Sequence, residues 1–454
     1  MKYQLAGWRT RLLQIHPDHV RIARSAIRLS LFVLIGKCAG AFKEMAIAYR
    51  FGVNHVVDAY QLTVTLVSWL PVTLVAVLSS VLIPALVDLR RQPKEEQKLF
   101  LGELETMAIA VGFVFAIVLW VCWPFVLHFM AGRLSDETRE LSGKMMFGMA
   151  PIGILMLTIC VHAARLQARE RHVNTLLECV PALVLLCFVL LWTNGRASAA
   201  LIWGTTLGFL VQAVVLAVLS SKADHIPLSI RFSLRAPQWK RMYGAIGVFM
   251  IGQFIMSFSA PLDQYFVAGL GDGSIAALGY ANRVLALILG MGALAISRAT
   301  LPVLSEVLST GDPHRARRTA LMWSLLMLGI GAVAVVFAWL LMPLAVRLLF
   351  QHGAFSAENT ATVANLCRWG LVQVPFYFAV LVLVQLLASQ GRYTAMAVVA
   401  ALNFVIKALC NYLFVKWFDV AGVLLSTGVV SAWALGCYLY LAMSGTSNKK
   451  ATTQ

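Results

Sequence analysis

The chain has 454 residues, 60% of them hydrophobic and only 13% charged, with a mean hydropathy of +0.80. Soluble domains carry about 25% charged and roughly 45–50% apolar residues. This composition therefore excludes a soluble enzyme, a secreted disulfide scaffold and a disordered chain, and fits an integral membrane protein. The net charge of +17 is accounted for by cytoplasmic loops rich in Lys and Arg, without invoking nucleic acid.

In chain order, the first 28 residues hold Lys2, Arg9, Arg11, Arg21, Arg24 and Arg28. They lack a short apolar core with a cleavage site, so they read as a retained tail and not a signal peptide. A spanning helix needs about 20 mostly apolar residues. Twelve stretches qualify: 29–50, 60–87, 101–127, 144–165, 174–193, 198–220, 242–268, 275–300, 319–342, 361–387, 393–415 and 421–443. Segment 221–241, with Pro227 and Pro237, is the cytoplasmic linker between an N-lobe at 29–220 and a C-lobe at 242–443, and 444–454 is a second tail. With the N-terminus inside, 24 basic residues fall in inner loops and tails against 7 outside. Both termini are thus expected in the cytoplasm.

The halves resemble one another at an offset near 220. The stretch from Trp123 answers that from Met342, setting Gly132, Ser135 and Glu137 opposite Gly353, Ser356 and Glu358. Pro84 falls opposite Pro302, and Arg171 opposite Arg392. Each copy holds an even number of spans, so both enter the membrane from the same side. The expected fold is an all-α integral membrane protein: two parallel six-helix lobes around a central cavity.

Eight cysteines lie in or beside apolar runs without a CxxC pair, and nine histidines include no HExxH. They read as packing residues, His162 as a hydrogen-bonded one, and no metal or other cofactor is expected. The informative residues are charges inside spans, each costing about 2.5–3.5 kcal/mol at the bilayer centre unless it faces a cavity or a partner. They are Lys37, Lys43 and Glu44 in span 1, Asp58 in span 2, Glu178 in span 5, Asp263 in span 7, Arg283 and Arg298 in span 8, Arg368 in span 10 and Lys407 in span 11. Lys37 and Glu44 share a helical face and Lys43 points elsewhere. Asn403, Lys407 and Asn411 form a polar stripe, as do Gln253, Ser257 and Gln264, and Pro261 should kink span 7 near Asp263. Arg298 should snorkel to the inner interface, and Glu178 reads as a helix–helix hydrogen-bonding group. Deep bases outnumber deep acids, so the cavity should attract anions. The competing reading makes these residues structural ion pairs, such as Lys43 with Asp263 or Glu44 with Arg283.

Three stretches carry a family resemblance. KEMAIAYRFGVNHVVDAY (Lys43 to Tyr60) resembles the span 1–2 signature of the MviN/MurJ-like lipid II flippase family. DQYFVAGLGDGSIAALGYANRV (Asp263 to Val284) resembles its span 7–8 signature, and LLFQHGAFSAENT (Leu348 to Thr360) its loop after span 9. The resemblance implies two six-helix lobes in the bacterial inner membrane, a transporter and no enzyme. It also implies basic cavity residues for a pyrophosphate-linked headgroup, matched by position at Lys37, Lys43 and Arg283. Pro71 and Val72 stand where the family has span 2 arginines, Asn282 replaces an Asp, and the two extra C-terminal helices of fourteen-span members do not follow Met443.

These departures turn the expected cargo toward a polyprenyl-pyrophosphate-linked oligosaccharide such as an exopolysaccharide repeat unit, flipped by alternating access. The alternatives are lipid II and, in an antiporter, an organic cation, which would want an acidic cavity. Lys37, Lys43 and Arg283 are expected on the pyrophosphate, and Asn403, Lys407, Asn411 and Gln253 on sugar hydroxyls. Glu44, Asp263 and Arg368 are candidates for ion pairing or coupling to proton, sodium or membrane potential. Expected partners are the lipid-linked sugar, membrane lipid and polysaccharide-assembly proteins.

Overall fold

The computed structural model describes residues 17–130, 133–192, 197–309 and 313–444; the side chains of 17–30, 197, 241, 245, 248–249, 251–252, 294–295, 297–309 and 313 fall outside that description. The expectations for Arg298, Pro302, Gly132 and both tails' basic side chains therefore lie outside the described residues.

The N-lobe is built from α1 (Pro17–Phe51), α2 (His55–Leu89), α3 (Lys94–Met130), α4 (Asp136–Met149), α5 (Ile152–Gln167), α6 (Val173–Leu177), α7 (Val180–Leu191) and α8 (Ala197–Asp224). The C-lobe follows with α9 (Gln238–Ser257), α10 (Ser259–Val267), α11 (Ser274–Ser309), α12 (Pro313–Phe350), α13 (Ala357–Gly370), α14 (Gln373–Ser389) and α15 (Tyr393–Ser444). Seven helical segments are individually long and apolar enough to cross a membrane, and the bent pairs α4–α5 and α13–α14 add two. Helix α1, diluted by its charges, the α9–α10 pair and a division of α15 complete twelve. The division is required because 52 residues of helix far exceed the roughly 20 that span a bilayer. It falls at Asp419, whose φ of 48° leaves the helical region.

The repeat is visible in the backbone. Helices α4 and α13 are 14 residues each, begin 221 positions apart, and are N-capped by Ser135 and Ser356. Each is followed by a bend, of 41° and 40°. Serine accepts the orphan N–H of the first turn in both, at Thr138 (3.3 Å) and Asn359 (3.1 Å). In span 7 the break comes at Phe258, so that Pro261 sits in the first turn of α10, where its missing N–H costs nothing. Helices α3 and α12 bury only 11% of their most apolar window. They are peripheral, and present residues such as Phe113, Trp120, Phe337 and Leu340 to lipid.

The linker, residues 225–237, runs along α3 and is held there by buried acids. Glu103, fully buried, accepts from Ser233 Oγ (2.5 Å), from the N–H of Arg235 (2.9 Å) and Ala236 (3.2 Å), and from Trp239 Nε1 (2.7 Å). Glu105 accepts from Ser229 N–H (3.2 Å) and ion-pairs with Arg165. Arg165 also donates twice to Asp224, at 3.0 Å each, and to Ile226 O. Four polar groups at the inner ends of α3, α5 and α8 thus tie the linker to the N-lobe.

A basic cavity between the lobes

Helix α2 crosses the lobe boundary, packing on α9, α10 and α11. On the other side of that boundary, α1, α6, α11 and the outer end of α12 enclose a cavity of about 330 Å³. Gly36 and Gly40 belong to its wall, and a Cβ on either would meet open space. Three bases, Lys37, Lys43 and Arg283, line it with two acids, Glu44 and Glu178.

The pairing in this cavity is uneven. Glu44, 5% exposed, takes Lys43 Nζ at 2.7 Å and Arg283 Nε at 3.0 Å on the same oxygen, Oε1. One carboxylate from the N-lobe is thereby shared by a base of its own helix and a base of the C-lobe. The Arg283 side chain is 51% exposed, so its remaining N–H groups reach the cavity. Lys37 projects beside Gly290 of α11, where a Cβ would stand 3.2 Å from its Nζ. No carboxylate lies within ion-pair distance of Lys37 among the described residues. Three bases against the two acids Glu44 and Glu178 leave one net positive charge on the lining, which attracts anions.

Glu178 was expected to hydrogen-bond between helices. Instead it is exposed at the cavity wall, in the two-residue break between α6 and α7. Its backbone stays in the right-handed helical region (φ −60°, ψ −20°), so the carboxylate reaches the cavity without unwinding the span.

The polar stripe of span 11 lies elsewhere. Lys407 Nζ contacts Asp263 Oδ2 at 2.9 Å and donates to Thr427 Oγ1 at 2.8 Å, and Asn411 Nδ2 donates to Asp263 Oδ1 at 2.8 Å. Lys407 is 7% exposed and Asn411 fully buried. The cluster ties α10 to the two halves of α15 inside the C-lobe. Asp263 therefore partners Lys407, not Lys43, while the Glu44–Arg283 pair forms as the competing reading foresaw. Asn403 is partly buried with Oδ1 unpartnered, and Gln253 is exposed on α9. Neither lines the basic cavity. Arg368 donates to Trp339 O at 3.2 Å and lies over its ring at 5.7 Å, joining α13 to α12 away from the cavity.

The outer end of the lobe boundary is sealed by the three stretches that carry the resemblance. Buried Asp58 accepts the backbone N–H of Gly273 and of Ala276 (2.6 Å) at the start of α11. Tyr280 Oη donates to Gly52 O at 3.0 Å, and Ala354 N–H to Tyr49 O at 2.8 Å. The rings of Tyr280, Phe350 and Phe355 pack together, tilted and edge-on, with centroids 5.2–5.7 Å apart. Gly52 (φ +63°) and Gly353 (φ +61°) take left-handed turns, which glycine adopts without a Cβ penalty. A Cβ on Gly52 would stand 2.5 Å from Ala354 O, and one on Gly353 would collide with Tyr49 O. Sequence reasoning saw these residues as a signature. It missed that they meet, and it missed Glu103 and Glu105 at the linker.

Two parallel lobes closed at the outer end around an anion-attracting cavity define a two-lobed membrane transporter. Residues 47–452 match the family described as lipid II flippase MurJ, and the chain belongs to that family. It is a multi-pass inner-membrane flippase and not an enzyme. Similar relatives include a probable lipid II flippase MurJ of Synechocystis sp., 26% identical over 442 residues covering 92% of this chain and 81% of the relative. The lipid II flippase MurJ of Burkholderia cenocepacia is 24% identical over 434 residues, covering 90% and 81%. The fold is shared with a lipid II flippase MurJ in an inward closed conformation, with a TM-score of 0.80 at 16% identity over 92% of this chain and 87% of that one. It is also shared with an inward-facing multidrug resistance MATE family transporter, with a TM-score of 0.73 at 14% identity over 92% and 97%.

Proposed function

We propose that this protein carries lipid II, the lipid-linked peptidoglycan precursor, from the inner to the outer leaflet. The family match and the printed names of its relatives support this cargo. It replaces the exopolysaccharide unit that the three departures from the family pattern suggested, and with it the polysaccharide-assembly partners. The basic lining of the cavity argues against an organic cation, although the fold is shared with multidrug transporters.

The observation that carries the reading is Glu44 shared between Lys43 and Arg283 across the lobe boundary. A diphosphate entering the cavity offers oxygens to Arg283, Lys43 and Lys37, and charge-assisted bonds to phosphate are the strong ones. It competes with Glu44 for both bases. Binding thereby loosens an inter-lobe ion pair, and cargo is coupled to lobe movement through differential contacts in the two states. The seal at Asp58, Gly52 and Gly353 then parts to release the headgroup outward. An inside-negative potential favours outward movement of an anion by roughly 2.3 kcal/mol per charge per 100 mV, and membrane potential is the coupling retained here.

The test is growth of a bacterium depleted of its own lipid II flippase. Expression of this chain should restore growth and cell-wall synthesis. Failure of the protein to do so when correctly inserted in the membrane would remove lipid II as cargo.

A further inference from the structure

Behind Lys43 and Glu178 lies a second cavity of about 460 Å³, enclosed by α2, α5, α7 and α8 within the N-lobe. Ligand pockets run from roughly 300 to 1,000 Å³. Lys43 and Glu178 line both cavities, so the two spaces adjoin at this oppositely charged pair. Deeper in, the chamber is uncharged and lined mostly by apolar side chains, with a few polar groups set among them. Asn174 is 3% exposed and its Oδ1 is buried without a hydrogen-bond partner. Gln167 and Gln212 add amides, and the hydroxyls of Tyr60 and Thr205 are hydrogen-bonded to one another at 3.1 Å. Buried amides and hydroxyls are costly unless satisfied. A lipid-filled pocket would leave Asn174 Oδ1 unpaired, and a second anion would find no base beyond Lys43 among the described lining residues.

We infer that this chamber is a subsite for the neutral, hydroxyl- and amide-bearing part of the cargo, a saccharide ring attached to the diphosphate. This assignment rests on the diphosphate reading of the basic cavity. The diphosphate stays at Lys37, Lys43 and Arg283. The adjoining sugar passes between Lys43 and Glu178, whose ammonium and carboxylate hydrogen-bond to its hydroxyls, and reaches Asn174 and Gln212. Ala163 and Ala182 line the chamber and leave room for the ring.

The test compares two soluble probes on purified protein: a ten-carbon isoprenyl diphosphate, and the same lipid diphosphate bearing an N-acetylated disaccharide. Wild type should bind the second more tightly by about tenfold or more. In Ala182→Trp, which fills the chamber, that gain should vanish while affinity for the sugar-free probe stays within about twofold. Gln212→Leu, which removes an amide and changes volume little, should lose part of the gain and serves where the filled variant fails to fold. Equal wild-type affinity for both probes, or an undiminished gain in folded Ala182→Trp and Gln212→Leu, overturns the subsite alone. Wild type that binds neither probe overturns the diphosphate reading as well.

Discussion

Lys407→Met tests whether the C-lobe cluster is architecture or machinery. The Lys407 and Asp263 side chains are 9% and 16% exposed and 2.9 Å apart. Removing the lysine leaves Asp263 with Asn411 as its remaining hydrogen-bond donor among the described residues, at 2.8 Å, and leaves Thr427 without its Lys407 contact. Breaking a buried pair from one side costs about 3–5 kcal/mol, because the surviving charge stays desolvated. The Asn411 bond puts this case near the lower end, at about 3 kcal/mol. For a unit of about 200 residues, 1 kcal/mol corresponds to roughly 2–4 °C, so the melting temperature in detergent should fall by roughly 6–12 °C. Lys407→Met combined with Asp263→Asn should recover most of that loss, since neither charge then remains. Thermal melts of wild type, both single variants and the double variant, with growth rescue at a permissive temperature, decide the matter. An unchanged melting temperature with lost rescue would refute the structural role and place the lysine in transport.

Arg283→Ala should abolish growth rescue with normal membrane abundance, and Arg283→Lys should retain part of it; full rescue by the alanine variant would remove Arg283 from cargo binding. Gly353→Ala should open the outer seal, because a Cβ there meets Tyr49 O and an alanine at positive φ adds roughly 1–2 kcal/mol of strain. A cysteine placed at cavity-lining Met45, in a background lacking native cysteines, should then react faster with a membrane-impermeant thiol reagent added outside. An unchanged rate would show that the seal tolerates the methyl group. Glu103→Ala deprives four donors of the linker region of their acceptor, at about 1.5–3 kcal/mol for each bond to a charged group before relaxation. Trypsin added to inside-out vesicles should consequently cut faster at Arg231 and Arg235, and equal cutting would show that the linker is held by other contacts.

Much of the architecture was legible because lipid imposes simple rules. Spans must be long and apolar, basic loops stay inside, and repeats recur at fixed spacing, so the predicted stretches fall on observed helical segments, with 174–193 running past the end of α7 at Leu191. The bend shared by α4–α5 and α13–α14 was marked by Pro151 at the start of α5 and by Pro375 in the first turn of α14, but each pair reads along the chain as one straight span. Lys43, Glu44 and Arg283 were legible as a group because ionised residues in a membrane need a reason to be there. Which of them meets which was open: helical spacing separated Lys43 from Glu44, yet a flexible lysine stem brings the two neighbours to 2.7 Å.

By itself the sequence pointed to the two-lobe repeat, about twelve apolar spans and the surplus of base over acid within them. These follow from composition, period and sign, which are properties of residues taken along a line. Only the tertiary structure decided that Lys407 and Asn411 serve Asp263 inside one lobe while Lys43 and Arg283 share Glu44 across two. Charge pairing depends on distances of 3–4 Å between helices far apart in the chain, and helical period says which face a residue occupies but not what that face meets.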